Sequence, residues 1–280
     1  MSELSKYFTN AFSHSYKSKT PDEYVFQRGD YRFSVLSSRI IRVEKDEKRI
    51  FTDEATQTVI CRDFDRPQFG FSQDNNKIVI KTDDIIFRFD LSKGKTESIT
   101  LNDSRCVTNF KAGNLKGTYR TLDMINGSVR LGDGLMSTNG VSVVDDSKTV
   151  IVSTDGTLKE RRHIQKDEYY FAFGNDFRGC LKDFFKLCGS VPLVPRYCLG
   201  NWWSRYKDYS QQEYIDLMKK FLERDIPISV ATIDMDWHWV DVKKQFPDAG
   251  YNKARPLFWS DGWTGYSWNT ELFPDYRGFL

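Results

Sequence analysis

The segment Ile233-Asp234-Met235-Asp236-Trp237-His238 is where residue types and spacing come nearest to chemistry in this 280-residue chain. It closes an apolar run, ISVATIDMD (228–236), that reads as a strand covered on both faces. Acidic residues at the C-terminal end of a parallel strand stand where α/β barrels and open sheets hold their ligands. Strand alternation places Asp234 and Asp236 on one face. Cleaving a glycosidic bond takes two carboxyl groups that flank the bond. Two aspartates that point the same way do not flank a bond, so this pair suits a binding group and its support better than a nucleophile and an acid.

Three chemistries compete at this strand end. One aspartate caps the following turn while the other is solvated. Alternatively Asp-x-Asp-x-His holds a divalent ion, a pattern that resembles the signature of nucleotide-sugar transferases and wants a nucleotide-binding α/β half upstream. In the third, a carboxylate accepts hydrogen bonds from sugar hydroxyls. Trp202, Trp203 and Tyr206 follow one strand, and Trp237 and Trp239 follow the next. Such aromatics either form a stacking wall for a pyranose or pack the sheet, and at least two of the five are expected in a core. His14 and His163 have no partner in sequence and read as surface or structural residues.

The elements that must position these groups change character along the chain. Residues 1–175 carry short alternating runs: YRFSVL (31–36), RIIRVE (39–44), TQTVI (56–60), KIVIKT (77–82), IIFRFDL (85–91), KTVIVS (148–153) and YYFAF (169–173). Turn residues separate them, as in Arg28-Gly29-Asp30 and Asp74-Asn75-Asn76, which predicts an N-terminal β-sandwich domain. Residues 111–140 break the rhythm with six glycines, a long loop of the kind that is functional or disordered. Residues 176–196 read as helix and linker. Phe177, Leu181, Phe184, Phe185 and Cys188 share a helical face, with Asn175 or Asp176 as N-cap and Gly189 as C-terminal cap, followed by VPLVPR. Residues 197–280 read as β-α-β: strand YCLGNWW (197–203), a helix opened by a Ser210/Glu213 capping box with an apolar stripe of Tyr214, Leu217, Met218, Phe221 and Leu222, then the strand at 228–236. One such unit closes neither a barrel nor an open sheet.

Composition removes several classes. Basic and acidic residues nearly balance, 41 against 39, so no field of one sign recruits nucleic acid or an anionic membrane. No stretch approaches the about 18 apolar residues that span a bilayer. MSELSKYFTN lacks the basic head and apolar run of a signal peptide, and five cysteines without a CxxC pair fit free thiols in a reducing compartment, so the expected location is cytoplasmic. No phosphate-binding loop or Ser/His/Asp hydrolase motif occurs, and neither cofactor nor metal is expected.

Four segments, in order, resemble one family. NLKGTYRTLDMINGSVRLGDGLMSTNG with VSVVDDS, DFFKLCGSVPLVPRYCLGNWWSRY, ISVATIDMDWH and GWTGYSWNTELFPDYRGFL resemble glycoside hydrolases of family 31, in particular bacterial α-glucosidases and related α-glucosyl-transferring enzymes. The resemblance implies a β-sandwich followed by a (β/α)8 barrel, here only its first strands and helix, and retaining hydrolysis of α-glucosides through a covalent glycosyl-enzyme. The family's nucleophile lies in a Trp-x-Asp-Met-x-Glu motif, which these 280 residues do not contain, so the catalytic pair is expected outside the chain and the chain alone is expected to be inactive. What carries over is a sugar pocket. Asp234 matches the family's strand-two aspartate, Met235 its apolar neighbour and Tyr206 a pocket aromatic; Trp237 is placed with them. Asn139 stands where related sequences carry an aspartate in the sandwich loop. The implied partner is an oligosaccharide or glucoside; exposed apolar edges also suit a homo-oligomer. An α-transglucosylase or α-xylosidase of the same family, or a non-catalytic carbohydrate-binding β-module, remains open.

With two strands and one helix beyond the linker, residues 196–280 are expected to be cut readily by mild trypsin while residues 1 to about 188 resist. Mass spectrometry of the digest reads this out, and a protected fragment that runs to Leu280 would contradict it.

Overall fold

Alternating apolar residues in the first half give two five-stranded antiparallel sheets that bury one core between them. The computed structural model describes residues 16–117, 126–161, 166–191, 193–240, 245–248 and 267–280. MSELSKYFTN, His14, His163, part of the 111–140 loop and the start of GWTGYSWN lie outside the described residues. The chain divides into two units, Met1–Val191 and Pro192–Leu280.

In the first unit one sheet has the order β1 (Val25–Arg28), β2 (Tyr31–Ser37), β3 (Ile40–Lys45), β13 (Lys166–Ala172), β10 (Val141–Asp145). The other is a meander of β5 (Phe69–Asp74), β6 (Lys77–Thr82), β7 (Ile85–Asp90), β8 (Lys95–Leu101) and β9 (Cys106–Val107). Phe33, Ile41 and Val43 of the first sheet meet Ile80, Phe87 and Phe89 of the second, all fully buried. Each such side chain contributes about 1.5–3 kcal/mol of apolar burial, enough to make this interface the main stabilising term. The first sheet is covered on its second face as well. A small sheet of β12 (Leu158–Lys159), β11 (Ile151–Val152) and β4 (Ala55–Thr56) accompanies a second apolar cluster there, which contains Ile40, Tyr169, Phe171 and helix α1 (Phe177–Cys188).

That second face carries charge. Cross-strand register sets Arg32 opposite Glu44 and Glu44 opposite Asp167. Like charges directly opposite one another in a sheet repel, and Glu44 and Asp167 are both fully buried. Arg42 resolves this: its Nε and Nη2 donate to the two Asp167 oxygens at 2.7 and 2.9 Å, and Nη2 lies 3.0 Å from Glu44. Arg32 grips Glu44 at 2.6 and 2.9 Å, and Arg161 bridges Asp167 and Asp146 at 2.9 and 2.7 Å. Arg62 donates to Tyr169 Oη and to the Ser18 and Glu54 carbonyls. Burial works to raise the Asp167 carboxyl, but the Arg42 guanidinium, then Arg62 and Arg161, outweigh it and hold it well below the usual carboxylate range.

Several expected elements differ in extent. The strand at 56–60 is only Ala55–Thr56, because the Thr56 hydroxyl accepts from Val59 N and donates to Asp146, which turns the chain. The strand at 148–153 shrinks to Ile151–Val152. Strands β5 and β8 form where no strand was expected. Helix α1 has the expected bounds, with Asp176 capping Gly179 N, but it buries Cys180 and Leu187, with Phe184 and Cys188 beside them; Phe177 and Leu181 face outward.

Asp167→Asn is expected to cost about 3–5 kcal/mol at pH 7, since it leaves buried guanidinium groups short of charge. The Asp167 pKa is depressed on folding, so its contribution is full above about pH 4 and is lost as pH falls toward the folded value. Urea unfolding at pH 7 and pH 3 should therefore show the gap between wild type and variant narrowing at pH 3; an unchanged gap would contradict the assignment.

Candidate functional site: carboxylates at the end of a parallel strand pair

The second unit is built on two short parallel strands. Trp202 pairs with Val230 and Trp203 with Ala231 in β14 (Trp202–Trp203) and β15 (Val230–Ala231). Both are shorter than expected. Pro195 leads into a 3-10 turn at Arg196–Leu199, which takes the start of YCLGNWW out of the sheet. The crossover is α2 (Gln211–Glu223), whose N-terminus carries the capping box: Ser210 Oγ accepts from Glu213 N, and the Glu213 carboxylate accepts from Ser210 N at 2.9 Å. Tyr214 is buried and donates to the Thr232 carbonyl at 2.8 Å, which fixes the chain just after β15. Phe221 packs on Trp203, while Leu222, expected in the stripe, is exposed.

Beyond β15 the strand does not continue to Asp236. One parallel bridge joins Asp208 to Met235, and Asp236 then takes a left-handed backbone, φ 59°. The alternation that was to put Asp234 and Asp236 on one face is therefore broken between them. Asp234 is exposed, and among the described residues its carboxylate has no hydrogen bond or ion pair; Met235, Asp236 and Trp237 are half-buried. His238 is buried, with Nδ1 3.2 Å from the Trp239 carbonyl. No group of three potential metal ligands gathers among the described residues.

Residues 267–280 close this end. His238 bridges Trp268, Asn269 N donates to the Trp237 carbonyl, and Gln211 N donates to the Leu272 carbonyl. Trp237 packs on Trp268 at 5.2 Å, Trp268 stacks on Tyr276 at 5.2 Å, and Phe273, Phe279 and Tyr214 extend the cluster. Of the five expected wall aromatics, Trp203, Trp237 and Trp239 pack on Phe221, Trp268 and Phe246; Trp202 and Tyr206 are exposed, by 54% and 76%. Asp208, which sequence reasoning passed over, ends up beside Met235 across the parallel bridge. Its signal was a carboxylate between the first strand and the helix cap.

Asn139 belongs to the first unit and is occupied there. Its amide nitrogen donates to the Asn109 and Ala112 carbonyls at 2.9 Å each, and its oxygen accepts from Val141 N at 2.9 Å and lies 2.9 Å from the Ser137 hydroxyl, which also reaches the Ala112 carbonyl at 2.8 Å. Both of its amide hydrogens and its oxygen are thus engaged inside the loop. Nearby, Asn114 and Gly134 bond reciprocally, and a Cβ at Gly134 would meet the Leu115 oxygen at 2.0 Å, so only glycine fits.

Residues 191–280 match the family model described as glycosyl hydrolases family 31 TIM-barrel domain. Over these residues the chain resembles the barrel domain of family 31. Over 75 residues the chain is 36% identical to an alpha-xylosidase of Saccharolobus solfataricus, which is 27% of this chain and 10% of that protein. Over 70 residues it is 33% identical to alpha-glucosidase 2 of Bacillus thermoamyloliquefaciens, 25% of this chain and 9% of that protein. The matched stretches thus span about a tenth of those relatives' length. The crystal structure of a family 31 alpha-xylosidase from Xanthomonas citri superposes with a TM-score of 0.53 at 10% identity, covering 89% of this chain and 46% of that one, a likeness of fold.

The left-handed backbone at Asp236 sets the exit of the chain from Met235. A glycine adopts it freely, and a β-branched residue pays about 1–3 kcal/mol of strain. Asp236→Val is expected to lower the melting temperature by several degrees more than Asp236→Gly does. Differential scanning calorimetry checks this, and equal losses would show that the side chain, not the backbone, matters there.

Proposed function

We propose that this chain is part of a glycoside hydrolase that acts on α-linked glucosides with retention, and that Asp234 is its sugar-hydroxyl acceptor. The observation that carries the reading is the exposed, unengaged Asp234 carboxylate just past the end of β15, inside the segment that matches the family 31 barrel model. A charge-assisted hydrogen bond from a sugar hydroxyl contributes about 1.5–3 kcal/mol. Tyr206 and Trp202, both exposed, offer aromatic faces to a pyranose ring. Retaining hydrolysis takes two carboxyl groups about 5–5.5 Å apart, one as nucleophile and one as acid. Asp234 and Asp236 sit two residues apart on one chain segment with a backbone reversal between them, and in this reading neither is the nucleophile. Asn139 acts as the clip of its loop and not as a sugar ligand.

An α-xyloside is the second reading, since one of the relatives reported above is named an alpha-xylosidase. The five free thiols support a reducing, cytoplasmic setting.

Saturation-transfer NMR with methyl α-glucoside and methyl α-xyloside, together with an assay on p-nitrophenyl α-glucoside, tests the proposal. The chain should transfer saturation to a sugar, Asp234→Ala should abolish that, and Asp103→Ala in the first unit should not. Purified chain should leave the chromogenic glucoside uncleaved relative to a mock purification. Turnover by the chain, or sugar contact that survives Asp234→Ala, would overturn the assignment, and the stronger of the two sugar signals decides between glucoside and xyloside.

A further inference from the structure

Two cavities of the same size lie in the first unit, and their chemistry differs. Each offers ≈ 10 Å³, about the space that one water needs. One is lined by Phe171, Phe173, Phe177 and Cys180 together with Ser137 and Ser142, and none of the described residues around it holds a fully buried polar side-chain atom without a partner. The other lies between Thr20 and Pro21 on one side and Arg62, Leu36 and Phe64 on the other. Here Thr20 Oγ1 and Arg62 Nη2 are both buried, and neither has a hydrogen-bond partner among the described residues.

Arg62 is fully buried and always charged, so an idle N–H on it is costly. Its other donors are all committed: Nε to Tyr169 Oη at 2.7 Å, and Nη1 to the Ser18 and Glu54 carbonyls at 2.7 and 2.9 Å. Its backbone N–H donates to the Lys17 carbonyl at 2.7 Å. Arg62 therefore already holds residues 17 and 18 of the N-terminal arm, and its one idle nitrogen shares a cavity with the Thr20 hydroxyl.

We propose that this cavity binds a single structural water, which accepts a hydrogen bond from Arg62 Nη2 and bonds to Thr20 Oγ1, and that the equal-sized cavity beside Cys180 stays dry. Unpartnered polar groups decide between the two, because size does not: water enters a small cavity where buried polar groups without partners await it, and only the cavity at Arg62 offers such groups among the described residues of the two. The water completes a clasp in which one arginine fastens three nearby residues of the arm, Lys17, Ser18 and Thr20, to the charged face of the first sheet.

A crystal structure of the 280-residue chain at about 1.6 Å, solved also for Thr20→Val and Thr20→Ser, tests this directly. The wild type should show an ordered water at about 2.7–3.2 Å from both atoms, with no density in the cavity beside Cys180. Thr20→Val keeps the shape and removes the hydroxyl; it should lose the water and melt about 2–4 °C lower, while Thr20→Ser should keep both. Water magnetic relaxation dispersion gives a second readout in solution, with one long-lived internal water fewer in Thr20→Val than in Thr20→Ser. An empty site in the wild type, a water that persists in Thr20→Val, or a water in both cavities would overturn the proposal.

Discussion

Two carboxylates forced side by side in the middle of a sheet set the terms for the first unit. The register of β3 against β13 puts Glu44 opposite Asp167, and both are buried. Moving either ion out of water costs several kcal/mol, and their repulsion adds to it. Arg42 stands two residues before Glu44 on the same strand and therefore on the same face, so its guanidinium reaches both. Once Arg42 is there, its own charge needs to be shielded and its remaining donor directed. The Thr52 carbonyl accepts from both Arg32 and Arg42, and the Glu54 carbonyl accepts from Arg62. The segment that leads into β4 is thereby laid across the polar face, with the charges underneath it. A shift of this register by one residue would move either Arg42 and Glu44 or Asp167 into the apolar interior between the sheets, so the network also fixes the alignment on which that core depends.

Much of this architecture was legible in the sequence where one physical signal acted alone. KIVIKT and IIFRFDL alternate cleanly and form β6 and β7 as read. Ser210 and Glu213 make their reciprocal cap because that motif is satisfied within four residues and needs nothing distant. The misreadings occur where a distant partner decides. FGFSQD and KTESITL are too polar to stand out as strands, yet each completes a meander whose neighbours supply the hydrogen bonds. Helix α1 keeps its expected limits but turns its buried face toward Cys180 and Leu187, because the surface it meets presents Phe171 and Val59 and not a generic apolar wall.

The site shows the same division. That acidic residues would stand at the end of a parallel strand followed from the β-α-β pattern. That they would not share a face did not, since the break is a left-handed residue at Asp236, a conformation that aspartate tolerates without announcing it. The aromatic pattern was similarly ambiguous. Trp237 and Trp202 look alike in sequence, but Trp268, some thirty residues later, returns to cover one and not the other. Only the path of residues 267–280, tied by backbone bonds to Trp237 and Gln211, separates them.

In the proposed reading, Asp167 and Asn139 are structural polar groups and Asp234 is one left for a ligand. Asp167 is surrounded by arginines, and the amide group of Asn139 is engaged at both its nitrogen and its oxygen. Asp167 cannot take a further bond without loosening one it has, and in the proposed reading Asn139 serves its own loop. Asp234 is held in place through its neighbours: Thr232 by Tyr214 and Met235 by Asp208, while its own carboxylate is unengaged among the described residues. A binding group of this kind has to be positioned by the backbone on both sides and left unsatisfied at its tip, since every internal hydrogen bond to the carboxylate would compete with the ligand. Within the proposed reading, this is why the residue that best fits a sugar ligand is the exposed aspartate beyond a two-residue strand and not the more elaborately bonded groups of the sandwich.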